Sequence, residues 1–345
     1  MSEADLLRRI QLLFPPAPRV PPGIGPPGIV PMGIGDDAAA LTPTPGKYLL
    51  LTTDSLVEGV HFDLSFSTYF QLGRKVVAVN ASDIAAMGGV PTSFLVSLGL
   101  TPRQTPRDVV ALYRGMKAEV GAMAEQAAMP PMSLIGGNLS ACKETFWVSV
   151  TVVGEVAMNR MLTRAGAGVG DGIYVTHTLG DAAAGLAILQ SGKTTGAYRG
   201  LIEKYRTPCA RVREGSLLAT RAIASAMVDL SDGLSSDALR LAAQSNIGME
   251  IETGRLPISP ALRRYASEAG GDPLDLACHG GEDYALLFTV PERRRRALAT
   301  LTQDGRIAAT RIGWVVQKSQ GCYWRDAAGR RRRITPAGYD HFHQT

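Results

Sequence analysis

Leu51-Thr52-Thr53-Asp54-Ser55-Leu56-Val57-Glu58-Gly59-Val60-His61-Phe62 is the stretch on which the reading of this chain turns. An apolar, strand-like run from Tyr48 leads into it, and a carboxylate stands where that run should end. Three other clusters repeat the arrangement: Gly35-Asp36-Asp37, Asn80-Ala81-Ser82-Asp83 and Asp229-Leu230-Ser231-Asp232-Gly233. Each closes a strand-like run or opens a helix-like one. A carboxylate at such an edge packs poorly in a core. Several together can hold hard cations, which bind carboxylate oxygens and keep waters and substrate phosphates as their other ligands. A Mg-nucleotide site is the leading expectation from the residues alone.

Outward from that stretch, apolar periodicity predicts a strand over 48–53, a helix over 71–87, a strand over 92–100 and a helix over 106–128. The helix over 106–128 carries Val109, Val110, Leu112, Tyr113, Met116 and Val120 on overlapping faces. Strands follow over 133–135, ending in Gly136-Gly137, and over 146–156. Residues 157–171 read as a boundary. A second pattern then runs through a strand over 173–176, helices over 181–189 and 216–224, and a strand over 226–230. A helix over 234–244 and strands over 249–252 and 284–290 complete it. Mixed strands and helices in both halves predict two α/β or α+β domains, 1–157 and 158–345.

The 345 residues exceed one typical core, which agrees with two domains. The net charge of +5 lies largely in two runs, Arg293 to Arg296 and Arg330 to Arg333. Such runs are usually solvated faces and lack aromatic interleaving, so nucleic-acid binding is not expected. Cys142, Cys209, Cys278 and Cys322 are far apart and form no Cys-x-x-Cys, which argues against a zinc or redox pair and suits a reducing cytoplasm. At the start, Leu6, Leu7, Ile10 and Leu13 fall at helical spacing, an amphipathic helix rather than a signal segment. No run of about 18 apolar residues suggests a membrane span. Residues 15–32 are rich in proline and glycine and read as a loop or mobile arm.

Two nucleotide motifs are decoys. Gly23-Ile24-Gly25-Pro26-Pro27-Gly28 fits G-x-G-x-x-G, but it follows a proline-rich loop instead of a strand. Gly192-Lys193-Thr194 resembles the end of a Walker A loop, but Ala187 replaces its first glycine and a helix precedes it; a helix-ending turn is the plainer reading. The acidic clusters each have a plain reading too: a turn at Asp36-Asp37, a hairpin signal at Asp232-Gly233, a helix cap at Asp83. His61 alone reads more readily as a core or surface histidine. The clusters gain weight together, because glycines flank them (Gly35, Gly59, Gly137, Gly281) and leave backbone room for phosphates.

The residues also resemble a known family. Gly33-Ile34-Gly35-Asp36-Asp37-Ala38-Ala39, the 51–62 stretch, Ala78 to Gly88, Leu162-Thr163-Arg164-Ala165-Gly166, Asp229 to Leu234, Gly280-Gly281-Glu282-Asp283-Tyr284 and Gly338-Tyr339-Asp340-His341-Phe342 resemble thiamine-monophosphate kinase, in family order over nearly the whole chain. The family is related to aminoimidazole ribonucleotide synthetase. The resemblance implies an N-terminal α/β domain whose sheet forms a barrel with that of a second copy, and a C-terminal α/β domain packed against it. It implies ATP and several Mg2+ ions between the domains, a cytoplasmic homodimer, and phosphorylation of thiamine monophosphate to thiamine diphosphate.

By position, the resemblance implies metal ligation by Asp37, Thr52, Thr53, Asp54, Asp83, Asp229 and Asp232, with Asp36 auxiliary and Asn138 at a metal position. It implies ATP contacts at Gly137, Asn138, Arg164 and Ser231, and substrate contacts at His61, Glu282 and Tyr339. Asp54, Asp83, Arg164 and Asp229 are the expected catalytic set. The attacking phosphate oxygen is already anionic near neutral pH, so no general base is called for, and charge neutralisation carries the chemistry. Tyr339 suits a cationic thiazolium through its ring face. One departure is Gly136-Gly137-Asn138-Leu139, where many members have Gly-Gly-Asp-Thr. A degenerate kinase acting as a sensor therefore stays open. Related synthetases with a reactive cysteine are disfavoured, since residues 1–35 contain none.

Overall fold

The computed structural model describes residues 3–15, 37–192 and 196–338. Two compact units are present: Met1–Ala85 with Gly89–Asn159, and Ala86–Gly88 with Arg160–Thr345. Asp36, Tyr339, Lys193, Thr194, the glycine motif at 23–28 and all but the first residue of the proline-rich arm lie outside the described residues.

The first unit runs α1 (Glu3–Leu13), β1 (Lys47–Val57), α2 (Tyr69–Ala86), β2 (Val90–Leu100), α3 (Pro106–Ala127), β3 (Ser133–Ala141) and β4 (Trp147–Ala157). Its sheet has the order β1-β4-β2-β3. Strand alternation places Phe94, Val96 and Leu98 of β2 and Val148, Val150 and Val152 of β4 in the core, all fully buried. Phe14 seals this layer by meeting Phe94 edge-on at 5.6 Å and Tyr113 of α3 at 6.5 Å. The buried stripe of α1 is thus Leu6, Ile10 and Phe14, whereas Leu7 is exposed. Leu6 and Ile10 are buried as expected, while Leu13 is only half-buried, because the spacing of four that joins Leu6 to Ile10 continues to Phe14, just past the helix.

α3 starts where expected for a local reason. Thr105 and Asp108 form a reciprocal capping box with Pro106 following the cap. α2 and α3 then approach backbone to backbone: a Cβ on Gly73 would lie 2.0 Å from the Leu112 carbonyl oxygen, and one on Gly115 1.9 Å from that of Phe70. Arg74 of α2 donates to Glu119 of α3 at 2.8 Å beside this crossing, with Glu119 2% exposed.

The second unit runs β5 (Gly172–Thr176), α4 (Asp181–Ser191), α5 (Arg199–Arg206), α6 (Val212–Thr220), β6 (Ala226–Asp229), α7 (Leu234–Ser245), β7 (Gly248–Glu252), α8 (Pro260–Ala269), α9 (Pro273–His279), β8 (Leu286–Val290), α10 (Arg295–Gln303), β9 (Ala309–Val316), β10 (Cys322–Arg325) and β11 (Arg331–Arg333). Its sheet is β11-β10-β7-β9-β5-β8-β6, with β10 and β7 parallel and the other pairs antiparallel. Alternation divides these strands between two cores. Ile173, Val175, Val228 and Leu287 pack with Leu234, Ala238 and Leu241 of α7. Tyr174, Met227, Leu286 and Phe288 pack with Leu218 of α6 and Leu298 of α10. Both faces are therefore covered, which explains why β8 is buried along its whole length and reads as an apolar run broken only by Thr289.

Several expected boundaries move. β1 continues to Val57, so Thr52 to Asp54 lie inside a strand and do not end one. β3 runs through Gly136-Gly137 to Ala141. Asp83 lies within α2, one turn from its C-terminal end, and does not cap its start. The helix expected over 216–224 is α6, four residues earlier. Gly192 ends α4 in a left-handed conformation with φ 68°, the helix-ending turn rather than a phosphate loop.

Candidate active site

In the first unit, β1 and α2 are latched by polar groups. Leu50 and Leu56 of β1 are buried, and Thr52 and Asp54 occupy the same face by alternation. The Thr52 hydroxyl donates to Asp83 Oδ2 at 2.6 Å, and the Asp54 amide donates to Asn80 Oδ1 at 2.9 Å. Asn80 is fully buried and donates in turn to its own helix at the Val76 carbonyl, 2.9 Å away. Asn80, three residues before Asp83 on α2, is the strut that fixes the Asp54 backbone. Its signal was an asparagine one turn before Asp83 on an otherwise apolar helix face.

Thr53 lies on the other face, where its hydroxyl accepts from Thr151 at 3.0 Å. The pairing of Asn138 with Ser97, and of Ser97 with Ser149, puts Asn138 on that same second face. β1 and β3 are the two edges of the sheet. Three strand spacings, about 14 Å, separate Asn138 from the strand of Asp54, so within one copy the two do not share an ion. Asn138 is exposed and donates to the Ser140 hydroxyl at 2.8 Å. Its neighbour Gly137 has no room for a side chain: a Cβ would meet the Val96 carbonyl oxygen at 2.1 Å. Asp37 is exposed.

His61 closes the turn after β1. Its amide donates to the Val57 carbonyl at 3.0 Å, and its Nδ1 accepts from the Val57 amide at 3.1 Å. That contact assigns the remaining proton to Nε2 in the neutral ring. Lys75, 2% exposed, donates to the His61 carbonyl at 3.3 Å. His61 is half-buried, its ring turned to its own turn, and it is not a member of the apolar core.

In the second unit, Asp229 ends the edge strand β6 at 4% exposure. Ser231 and Asp232 form the loop into α7. Gly233 takes φ 109°, and a Cβ there would meet the His279 carbonyl oxygen at 2.8 Å. The Asp232 amide donates to Asp237 at 3.1 Å, and Arg240 pairs with both carboxylates, at 2.7 Å for Asp237. Burial and the neighbouring Asp232 push Asp237 up to about 6, against the pull of Arg240.

The loop 280–284 lies against this one. The Glu282 amide donates to the Ser231 carbonyl at 2.8 Å and the Tyr284 amide to that of Leu230 at 2.9 Å. Gly338 approaches from the far end of the chain, its amide donating to the Ser236 hydroxyl at 3.1 Å. A Cβ on Gly338 would fall 2.1 Å from the Asp232 carbonyl oxygen. Ser231, Asp232 and Glu282 are thus brought together with the residue that precedes Tyr339. Arg164 is exposed, its carbonyl held by the Ser245 hydroxyl at 2.7 Å. Among the described residues, no three His, Cys, Asp or Glu side chains converge into a ready-made metal cage.

Comparison with known proteins gives the class first. Residues 35–156 match the AIR synthase related protein, N-terminal domain, and residues 168–324 the corresponding C-terminal domain. The two matches follow the two units in order, and the chain has the mixed α/β two-domain fold of that class. A thiamine-monophosphate kinase of Aquifex aeolicus is 36% identical over 90% of this chain and 92% of its own length; one of Escherichia coli K12 is 37% identical over 91% and 92%. The chain belongs to the thiamine-monophosphate kinase family, and it is a kinase. The crystal structure of that kinase from Stenotrophomonas maltophilia aligns with a TM-score of 0.79 at 34% identity, covering 97% of this chain and 98% of the other. A structure of AaThiL complexed with AMPPCP and TMP aligns at 0.76 and 36%, covering 90% and 92%. The hydrogenase maturation protein HypE of E. coli, at 19% identity and 0.77, shares the fold alone.

Proposed function

We propose that this chain transfers the γ-phosphate of ATP to thiamine monophosphate, giving ADP and thiamine diphosphate. The observation that carries the reading is the polar latch of Thr52, Asp54, Asn80 and Asp83 on the inner face of β1, within a chain whose relatives are named for that reaction. Asp54 is exposed and Asp83 half-buried on this face, so both carboxylates stay within reach of a ligand.

Mg2+ fits the donor set. Asp37, Thr52, Thr53, Asp54 and Asp83 in the first unit and Asp229 and Asp232 in the second offer oxygen only. The dispersal of these donors suits an ion that keeps waters and substrate phosphates as most of its ligands. When bound, such ions would offset the repulsion between two polyanions and stabilise charge in phosphoryl transfer. The chain's own task is positioning. The Thr52 hydroxyl and the Asn80 amide hold Asp83 and the Asp54 backbone before substrate arrives, so little reorganisation remains. Arg164 presents an exposed guanidinium suited to phosphate. Gly137 and Ser231 present backbone and hydroxyl to nucleotide, and His61, Glu282 and Tyr339 are the substrate contacts. The acceptor oxygen is already anionic, so no residue is assigned as a base.

A homodimer is part of this reading. β1 is an edge strand, and Leu51 is 70% and Leu49 39% exposed on its second face. An apolar, unpaired edge is a surface that another chain covers. Light scattering is expected to give twice the monomer mass.

The deciding experiment is an end-point assay with ATP, Mg2+ and thiamine monophosphate. Thiamine diphosphate with equal ADP is the expected result. Binding of either substrate without product would favour the sensor, and neither binding nor product would refute the substrate assignment. Asn138→Asp is expected to lower the Mg2+ concentration for half-maximal rate by restoring a carboxylate. Rate measured against Mg2+ checks it, and an unchanged or higher requirement would count against a metal role at this position.

A further inference from the structure

We propose that Asp283 is a positioning residue that sets Glu282, and with it the affinity for thiamine monophosphate. The proposal rests on Glu282 being a substrate contact. Asp283, half-buried as a residue, turns its carboxylate inward onto the start of α4. The Gly180 amide donates to Oδ2 at 2.6 Å and the Ala182 amide to Oδ1 at 3.4 Å. These first-turn amides have no partner within the helix, so a carboxylate is well placed there. Burial pushes the Asp283 carboxyl up to about 7, against the pull of the two amides.

What Asp283 holds is strained. Glu282 has φ 68° and Tyr284 φ 46°, left-handed conformations that residues with side chains adopt rarely. They persist only where surroundings over-determine them. On one side the loop is tied by the Glu282 and Tyr284 amides to Ser231 and Leu230. On the other side the Asp283 carboxylate ties it to α4. Gly180 packs closely on α9 and has no room for a side chain, since a Cβ there would lie 2.7 Å from the Ala277 amide nitrogen. Without the carboxylate the loop relaxes towards ordinary backbone angles, and Glu282 turns with it.

The test compares Asp283→Ala and Asp283→Asn with Asp181→Asn. Asp181 lies on the same helical turn at 4% exposure and accepts from the Thr178 and Ser259 hydroxyls, both at 2.6 Å, but makes none of these contacts to the 280–284 loop. Asp283→Ala is expected to raise the KM for thiamine monophosphate about tenfold or more while that for ATP moves less than about twofold, as a misplaced contact would. Asp283→Asn keeps an acceptor for Gly180 and is expected to recover part of the loss. Asp181→Asn is expected to lower Tm without changing either KM. Combining Asp283→Asn with Glu282→Gln is expected to be no worse than Glu282→Gln alone, since both act through one carboxylate.

Additive losses in the double variant, or the two KM values rising together, would overturn the proposal. If Asp283→Ala does not fold, Asp283→Asn and the double variant still decide. Failure of the wild type to make thiamine diphosphate would instead overturn the functional reading.

Discussion

Asp83→Asn is expected to reduce kcat/KM for thiamine monophosphate phosphorylation by about 10²–10³, about 2.7–4 kcal/mol in the transition state. The substitution keeps size and leaves an oxygen able to accept from the Thr52 hydroxyl, now at 2.6 Å. Helix, strand and latch therefore survive, and the melting temperature moves little. What disappears is a negative charge facing the site. Thr52→Val probes the same contact from the other side; it keeps the charge and loses the clamp, so a smaller loss is expected, about tenfold. Steady-state kinetics with Mg2+ titration reads both. Activity within a factor of ten of wild type for Asp83→Asn would remove Asp83 from the site.

The second large effect is structural. Gly115→Ala is expected to cost about 3 kcal/mol, the upper range for overpacking. Its Cβ would fall 1.9 Å from the Phe70 carbonyl oxygen, a backbone atom that cannot rotate away. The helices must part, which also strains the Arg74–Glu119 pair beside the crossing. At 2–4 °C per kcal/mol for a unit of this size, a fall in Tm of about 6–12 °C follows. Activity should decline with it, because α2 carries Asn80 and Asp83. Thermal unfolding by circular dichroism checks this; a Tm within about 2 °C of wild type would show that the helices separate at little cost.

The sequence made the elements legible where period or cap was strong. α3 was readable from its proline start and its apolar stripe, and β4 from its run of branched residues. α5 and α8 to α10 were missed because their stripes are short and mostly charged, and because they are buried by other helices and, for α10, by strands from elsewhere in the chain. The acidic residues stood out, yet their arrangement did not. Whether Asp54 and Asn138 share a face depends on sheet order and register, which no local spacing records. The role of Asn80 was hidden for the same reason, as its partner lies on another element. The approach of Gly338 to Asp232 joins positions that only the finished fold brings together.

The pairing of β6 with β8 has a consequence for how the protein is made. Asp229 lies opposite Leu286, and α7, β7, α8 and α9 intervene in sequence. Such non-local pairing raises contact order and slows folding. As the chain leaves the ribosome, β6 waits as an unpaired apolar strand until β8 emerges, and only then can Ser231 meet Glu282. The nascent second unit is accordingly most prone to misassociate in that interval, when its acidic loop exists as sequence but has nothing to close against.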